Sequence, residues 1–231
     1  MLLAGGSGSR FGADRPKQFL RVAGKSILAH TIEVFERHPL IDEIAIVTRA
    51  DCMDETRQIV SEGHYSKVKR ILTGGKERYH SSLAAIDAYT NDDDRLLLHD
   101  AVRPLVSERI ITDCVRALDQ YDAVDVAIPT TDTIIRVDEY ECIIDTPPRS
   151  QLRNVQTPQG FRRGTIRRAY DIGLQDPAFV TTDDCGVVHH YLPGTPIYVV
   201  RGEVSNIKIT YPEDLRTLND ERCFGAPTFK P

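Results

Sequence analysis

The feature that most restricts the fold is an alternation of two hydrophobic periods along the chain. The runs IDEIAIVT, KVKRILTGG, RLLLHDAVRP and YDAVDVAIP are short and apolar and read as strands. Between them, KSILAHTIEVFERH, DCMDETRQIVSEG, ERYHSSLAAIDAY and SERIITDCVRALDQ place apolar residues at the spacing of amphipathic helices. Parallel neighbours need a crossover, so this order predicts an α/β fold: a Rossmann-like, mostly parallel sheet with helices on both faces. Such sheets bind ligands at the carboxyl ends of their strands. With 231 residues, 41% of them hydrophobic, one core fits, and 1–231 reads as a single domain.

Two segments depart from this rhythm. In DTIIRVDEYECIIDTPPRSQLRNVQTPQGF the alternating halves TIIRV and CIID flank the polar DEYE, which predicts a hairpin projecting from the sheet as an arm over 132–156. At the start, only MLLA precedes a run of glycines, shorter than the roughly five or six residues of a typical strand, so upstream residues are expected to complete that strand.

A net charge of −5 argues against a general nucleic-acid or membrane-surface binder and leaves room for a local basic pocket that takes a small anion. The five cysteines, Cys52, Cys114, Cys142, Cys185 and Cys223, are odd in number and lack metal-site spacing. With no signal peptide and no long apolar span, the cytoplasm, with reduced thiols, is the expected compartment.

The opening stretch MLLAGGSGSRFGADRPKQF raises a question about its ligand, because side-chain-poor glycines run directly into Arg10, Arg15 and Lys17. Glycines let successive N–H groups converge on phosphate oxygens, and a following helix start adds a favourable dipole. Two familiar phosphate motifs fail. A dinucleotide fingerprint needs glycine where Phe11 stands, and Glu33, about 20 residues on, falls inside a helix, which excludes an NAD-linked reductase. A P-loop needs Gly-Lys-Ser/Thr, which neither GGSGSRFG nor GGKERY supplies. On spacing alone the loop reads either as a phosphate cradle or as a glycine-rich turn with surface cations.

The block LAGGSGSRFG followed by PKQFL resembles the activating loop of sugar-nucleotide and polyol-nucleotide pyrophosphorylases. Further blocks, GGKERYHSSL, HDAVRP, Asp132-Thr133, QTPQGF and NIKIT, occur in the order found in one cytidylyltransferase branch of that group. That branch comprises the 4-diphosphocytidyl-2-C-methyl-D-erythritol synthases and the ribitol-5-phosphate cytidylyltransferases, and the resemblance spans almost the whole chain. It implies a nucleotidyltransferase-type fold and assigns site residues by position. Ala4, Gly5, Gly6, Ser7 and Gly8 would wrap the nucleotide triphosphate while Arg10 and Lys17 neutralise it. Gly75 and Ser81 would read the cytosine, with Arg78 bracing that loop. Asp100 would stand near Mg²⁺ and the acceptor, Ala101 would contribute backbone contacts, and Arg103 would support the site. Thr133, Arg149 and Thr157 would hold the acceptor phosphate from an arm reaching into a partner subunit, which implies a homodimer. Lys208 would be a further phosphate-directed cation.

Each block also has a plainer reading. Asp100 at a strand end suits a metal or a substrate hydroxyl, or else caps the following turn. GGKERYHSSL reads also as a turn and helix cap. Asp183 and Asp184 in TTDDCG read as helix caps, His99 as a structural hydrogen-bond partner, and His189 and His190, without ligand company, as helix surface.

The implied chemistry needs no Ser-His-Asp or Cys-His group. A phosphate monoester is already largely a dianion at neutral pH and attacks the α-phosphorus of CTP without a general base. The protein must supply alignment and charge neutralisation as pyrophosphate leaves. For the acceptor, DTPPR and GEVSNIKIT look more like the ribitol-phosphate branch, so ribitol 5-phosphate is the expectation, with 2-C-methyl-D-erythritol 4-phosphate as the alternative. A nucleotide-binding regulatory domain without catalysis is the competing class.

Overall fold

The computed structural model describes residues 1–6 and 15–218. Ser7, Gly8 and Arg10, assigned above to the glycine loop, lie outside the described residues. The chain begins with β1 (Leu2–Ala4), a small hairpin of β2 (Arg21–Val22) and β3 (Lys25–Ser26), and α1 (Ile27–Arg37). It continues through β4 (Ile44–Thr48), α2 (Met53–Gly63), β5 (Val68–Thr73), α3 (Arg78–Asp87), β6 (Arg95–Asp100), α4 (Glu108–Ala117) and β7 (Ala123–Pro129). The second part holds β8 (Arg136–Val137), β9 (Ile143–Asp145), β10 (Arg153–Arg162), α5 (Arg163–Gly173), α6 (Asp184–Tyr191), β11 (Ile197–Arg201) and α7 (Asp214–Leu218).

Seven strands form one sheet in the order β11-β7-β10-β6-β1-β4-β5. Its neighbours pair in parallel except β10, which runs antiparallel to both β6 and β7. The α/β reading therefore holds, and every predicted strand and helix appears within a few residues of its sequence run. The arm was expected over 132–156, but β10 begins at Arg153 and pairs with β7 from there, so 153–156 belong to the central sheet. A proline in a central strand lacks a ladder donor, and the β10–β7 register shifts between Gln156 and Gly160, around Pro158, so the strand accommodates it at a bulge.

Period-two alternation distributes the core over both faces of the sheet. Leu2, Ala4, Ile44 and Ile46 pack with Leu28, Ile32 and Phe35 of α1 and Ile110, Ile111 and Cys114 of α4. Leu3, Ala45, Val47, Leu96 and Leu98 point the other way, against Ala85 and Ile86 of α3, Ile166, Ala169 and Tyr170 of α5, and Val187 and Val188 of α6. Each such fully buried aliphatic side chain is worth about 1.5–3 kcal/mol relative to exposure. Helix starts are fixed by side-chain caps: Ser26 Oγ accepts from Ala29 N–H, and Ser107 Oγ from Ile110 N–H. Glu77 and His80 form a reciprocal capping box at α3. The loops that follow β1, β4, β5 and β6 gather at one edge of the sheet, where the site lies.

The projecting arm is present. β8 pairs antiparallel with β9, and Asp138 Oδ1 accepts from Tyr140 N–H and Cys142 N–H, both at 2.9 Å, to close the turn. Ile134, Ile135, Val137, Ile143 and Ile144 are all exposed on it.

Candidate active site

Four adjacent parallel strands, β6, β1, β4 and β5, end side by side at Asp100, Ala4, Thr48 and Thr73. The loops leaving them enclose a cavity of about 630 Å³, lined among others by Ala4, Gly5, Gly6, Lys17, Gly75, Arg78, Ser81, Asp100 and Lys208. The structure thus brings together, at the edge the topology dictates, residues from Leu3 to Lys208. Arg49 and Lys76 also line it, so cations outnumber the carboxylates Asp100 and Glu77. That charge balance suits a polyanionic ligand.

Close backbone approach explains two of the glycines. A Cβ on Gly74 would lie 2.5 Å from Ser81 Oγ and 3.2 Å from Val47, and one on Gly5 would lie 2.9 Å from the same Ser81 Oγ. Ser81 is therefore seated between the loops after β1 and β5, and any larger residue at either glycine would displace it. Gln18, which sequence reasoning passed over, ties the PKQF turn to the glycine loop. Its side chain is almost fully buried, and Nε2 donates to Ala4 O at 2.7 Å and to Gly6 O at 3.5 Å. Its only signal was a polar residue within an otherwise apolar and cationic block.

Asp100 is the electrostatic centre. Lys208 Nζ lies 3.0 Å from Oδ2, and Arg103 Nε 3.4 Å from the same oxygen. Burial alone would raise the Asp100 pKa; Lys208, Arg78 and Arg103 override it and hold the carboxyl below its ordinary value of 3.8. Arg103 in turn donates from Nη1 to Asn206 O at 2.8 Å. Asn206, also missed from sequence, is fully buried and donates from Nδ2 to Thr157 O at 2.9 Å, while Ile209 N–H donates to Val102 O. These bonds pin the NIKIT segment beside β6 and aim Lys208 at Asp100.

Two placements differ from those the resemblance gave. Thr157 was expected on the arm, holding phosphate for a neighbour. It is 5% exposed, its Oγ1 accepts from Asp100 N–H at 3.1 Å, and it lies 3.0 Å from His99 Nδ1. Its position in β10 beside β6 makes it a support beneath the Asp100 of its own chain. Ala101 was expected to offer backbone contacts to substrate. It is fully buried; its N–H donates to Leu3 O and its carbonyl accepts from Thr31 Oγ1 at 2.8 Å, so both groups serve the fold. Thr133 and Arg149 are exposed on the arm and do not line this cavity, and Arg149 Nη1 donates to Thr131 O.

The plainer readings also find their places. His99 is fully buried, with Nε2 3.1 Å from Arg103 O, and burial pushes its pKa down to about 3, so the ring is neutral and structural. Asp183 caps α6 by accepting from Gly186 N–H at 2.9 Å. Asp184 does not cap; it is fully buried and accepts from Arg78 Nη1 at 2.7 Å. His189 and His190 are exposed on α6. No helix among the described residues is long and apolar enough to cross a membrane.

Comparison with known proteins agrees with this geometry. The profile of the family described as IspD: 2-C-methyl-D-erythritol 4-phosphate cytidylyltransferase matches residues 1–219. A protein of Thermobifida fusca named 2-C-methyl-D-erythritol 4-phosphate cytidylyltransferase is 50% identical over 220 residues, 93% of this chain and 88% of its own length. The Haemophilus influenzae bifunctional ribulose 5-phosphate reductase/CDP-ribitol pyrophosphorylase Bcs1 is 46% identical over 218 residues, 93% of this chain and 46% of that longer protein. The crystal structure of 4-diphosphocytidyl-2C-methyl-D-erythritol synthase from Anaerococcus prevotii superposes with a TM-score of 0.84 at 30% identity, covering 96% of this chain and 93% of that one. With the profile running from β1 through α7, the chain belongs to the IspD family of cytidylyltransferases.

Proposed function

We propose that the protein transfers the cytidylyl group of CTP to 2-C-methyl-D-erythritol 4-phosphate, forming the CDP-polyol and releasing pyrophosphate. The observation that carries the reaction type is the convergence of Lys17, Arg78 and Lys208 on one cavity around a buried, ionised Asp100. The acceptor phosphate oxygen attacks the α-phosphorus, the bond to the β-phosphate bridging oxygen breaks, and pyrophosphate departs with that electron pair. Lys17 neutralises the leaving triphosphate end, the role the resemblance also gives Arg10, and Lys208 faces the incoming phosphate. Asp100, anchored by Lys208 and Arg103, fixes the acceptor between them.

The acceptor assignment rests on relatives. The Thermobifida protein, 50% identical and covered over 88% of its length, carries the methylerythritol name, and so does the family profile. They weigh against the ribitol 5-phosphate expectation drawn from DTPPR and GEVSNIKIT. Ribitol 5-phosphate stays as the second reading on one specific observation, the 46% identity to the CDP-ribitol pyrophosphorylase.

Mg²⁺ fits the donor set. Mg²⁺ takes one or two carboxylates plus substrate phosphates rather than an all-protein cage, and Asp100 offers a cavity-lining carboxylate with Oδ2 committed to Lys208 and Arg103. When bound, the ion would neutralise phosphate charge. A homodimer completes the reading: the exposed apolar arm would seat on a second copy and bring Thr133 and Arg149 to its acceptor phosphate.

The test is pyrophosphate release from CTP and Mg²⁺ with and without the polyol phosphate. Release that requires both substrates supports the reading. CTP binding without release for any polyol phosphate would instead identify a nucleotide-binding regulatory domain.

A further inference from the structure

Arg78 opens α3 and lines the cavity near Gly75 and Ser81, with 30% of its side chain exposed. Behind it stands Asp184, which has no exposed surface and whose two oxygens are both engaged: Oδ2 accepts from Arg78 Nη1 and Oδ1 from the Tyr170 hydroxyl, each at 2.7 Å. The Asp184 backbone N–H donates to Gln159 Oε1 at 3.0 Å. Tyr170 of α5 thus orients the carboxylate while Gln159 of β10 holds the backbone of Asp184 at the start of α6, and that carboxylate holds one side of Arg78.

A buried ion pair is a weak source of stability, because a well-packed apolar pair often does as well. Its benefit is sought here in where it puts the guanidinium. Arg78 is attracted to two carboxylates, Asp184 behind it and Asp100 in the cavity. Released from Asp184, it would be drawn to Asp100, where Lys208 already sits 3.0 Å away.

We propose that Asp184, oriented by Tyr170, is a positioning residue that holds Arg78 at the nucleotide end of the cavity and keeps it off Asp100. This rests on the reading of the cavity as a CTP site. Asp184 touches no substrate in this account; it acts through Arg78.

The test is steady-state kinetics of Asp184→Asn, Tyr170→Phe and Arg78→Ala, with Asp184→Asn repeated in the Arg78→Ala background. Asp184→Asn is expected to raise KM for CTP about tenfold and Tyr170→Phe about threefold, with KM for the polyol phosphate unchanged within twofold. In the Arg78→Ala background, Asp184→Asn should change KM for CTP less than twofold, because its route of action is gone. A purely structural role would instead lower the melting temperature and the active fraction and leave KM alone. An unchanged KM for CTP in folded Asp184→Asn, or an undiminished tenfold effect without Arg78, overturns the inference. Should Asp184→Asn fail to fold, Tyr170→Phe decides, since it removes one hydroxyl and keeps the ring in place. An Arg78→Ala enzyme with unaltered KM for CTP overturns the nucleotide-site reading itself, and this inference with it.

Discussion

Replacing Lys208 by methionine separates the catalytic demand on that cation from its structural one. At the 3.0 Å separation of Nζ and Asp100 Oδ2, an effective dielectric near 20 gives an attraction of about 5 kcal/mol. The Lys208 side chain is 38% exposed, and Arg103 remains at 3.4 Å from the same oxygen, so both screening and a substitute partner reduce that figure. The expected loss of folding stability at neutral pH is about 1 kcal/mol. The rate should suffer more, because the cation opposes charge that accumulates only as the phosphates react: about 3 kcal/mol, or roughly a hundredfold in turnover. Asp100 stays ionised at neutral pH because Arg78 and Arg103 still face it, yet its pKa rises once the Lys208 contribution is lost. Because the folded-state value lies below the ordinary 3.8, the Asp100 contribution to stability is present above that pH and is lost as pH falls below it. Turnover is read by pyrophosphate release and stability by urea unfolding at neutral pH. A variant turning over within threefold of wild type would refute the role given to Lys208, whatever its melting temperature.

Three other perturbations bear on separate parts of the account. His99 is buried and neutral with a pKa near 3, while the unfolded chain takes up a proton below 6.5, so stability drains away as pH falls between those values; at pH 4.5 the loss is about 2–3 kcal/mol. His99→Asn should show a smaller stability difference between pH 7 and pH 4.5 in urea unfolding, and an unchanged difference contradicts the assignment. Gly74→Ala drives a Cβ to 2.5 Å from Ser81 Oγ and should cost about 1–2 kcal/mol by overpacking; Gly74→Ala/Ser81→Ala should recover most of it in a thermal melt, and no recovery would place the strain elsewhere. Ile143→Asp combined with Val137→Asp puts charge on the exposed arm and should yield a monomer by sedimentation with little activity, whereas a dimer that persists removes the arm from the interface.

What could be read from sequence followed from local rules. Strands β4 to β7 and helices α1 to α4 declared themselves because their hydrophobic periods are set by one sheet and its covering helices. The hairpin of the arm was legible from alternation about DEYE. The insertion of β10 between β6 and β7 was not, since pairing with β6, more than sixty residues earlier, leaves no local mark and Pro158 argues against a central strand. The same limit applies to the site. Asp100 and the glycine loops sit at strand ends and are visible as such, whereas Asn206 and Asp184 gain their roles from partners far along the chain, and Gln18 from backbone carbonyls of the glycine loop. Thr157 was grouped with the arm because its neighbours in sequence are arm, while the structure places it in β10 with its hydroxyl accepting from Asp100 N–H.

The central claim, cytidylyl transfer to a methylerythritol phosphate, is tested most directly by measuring kcat/KM for pyrophosphate release from CTP with 2-C-methyl-D-erythritol 4-phosphate and with ribitol 5-phosphate side by side. The account predicts a preference for the methylerythritol compound of a hundredfold or more, about 2.7 kcal/mol in transition-state binding. A hundredfold preference for ribitol 5-phosphate would contradict it and tie the chain to the CDP-ribitol branch.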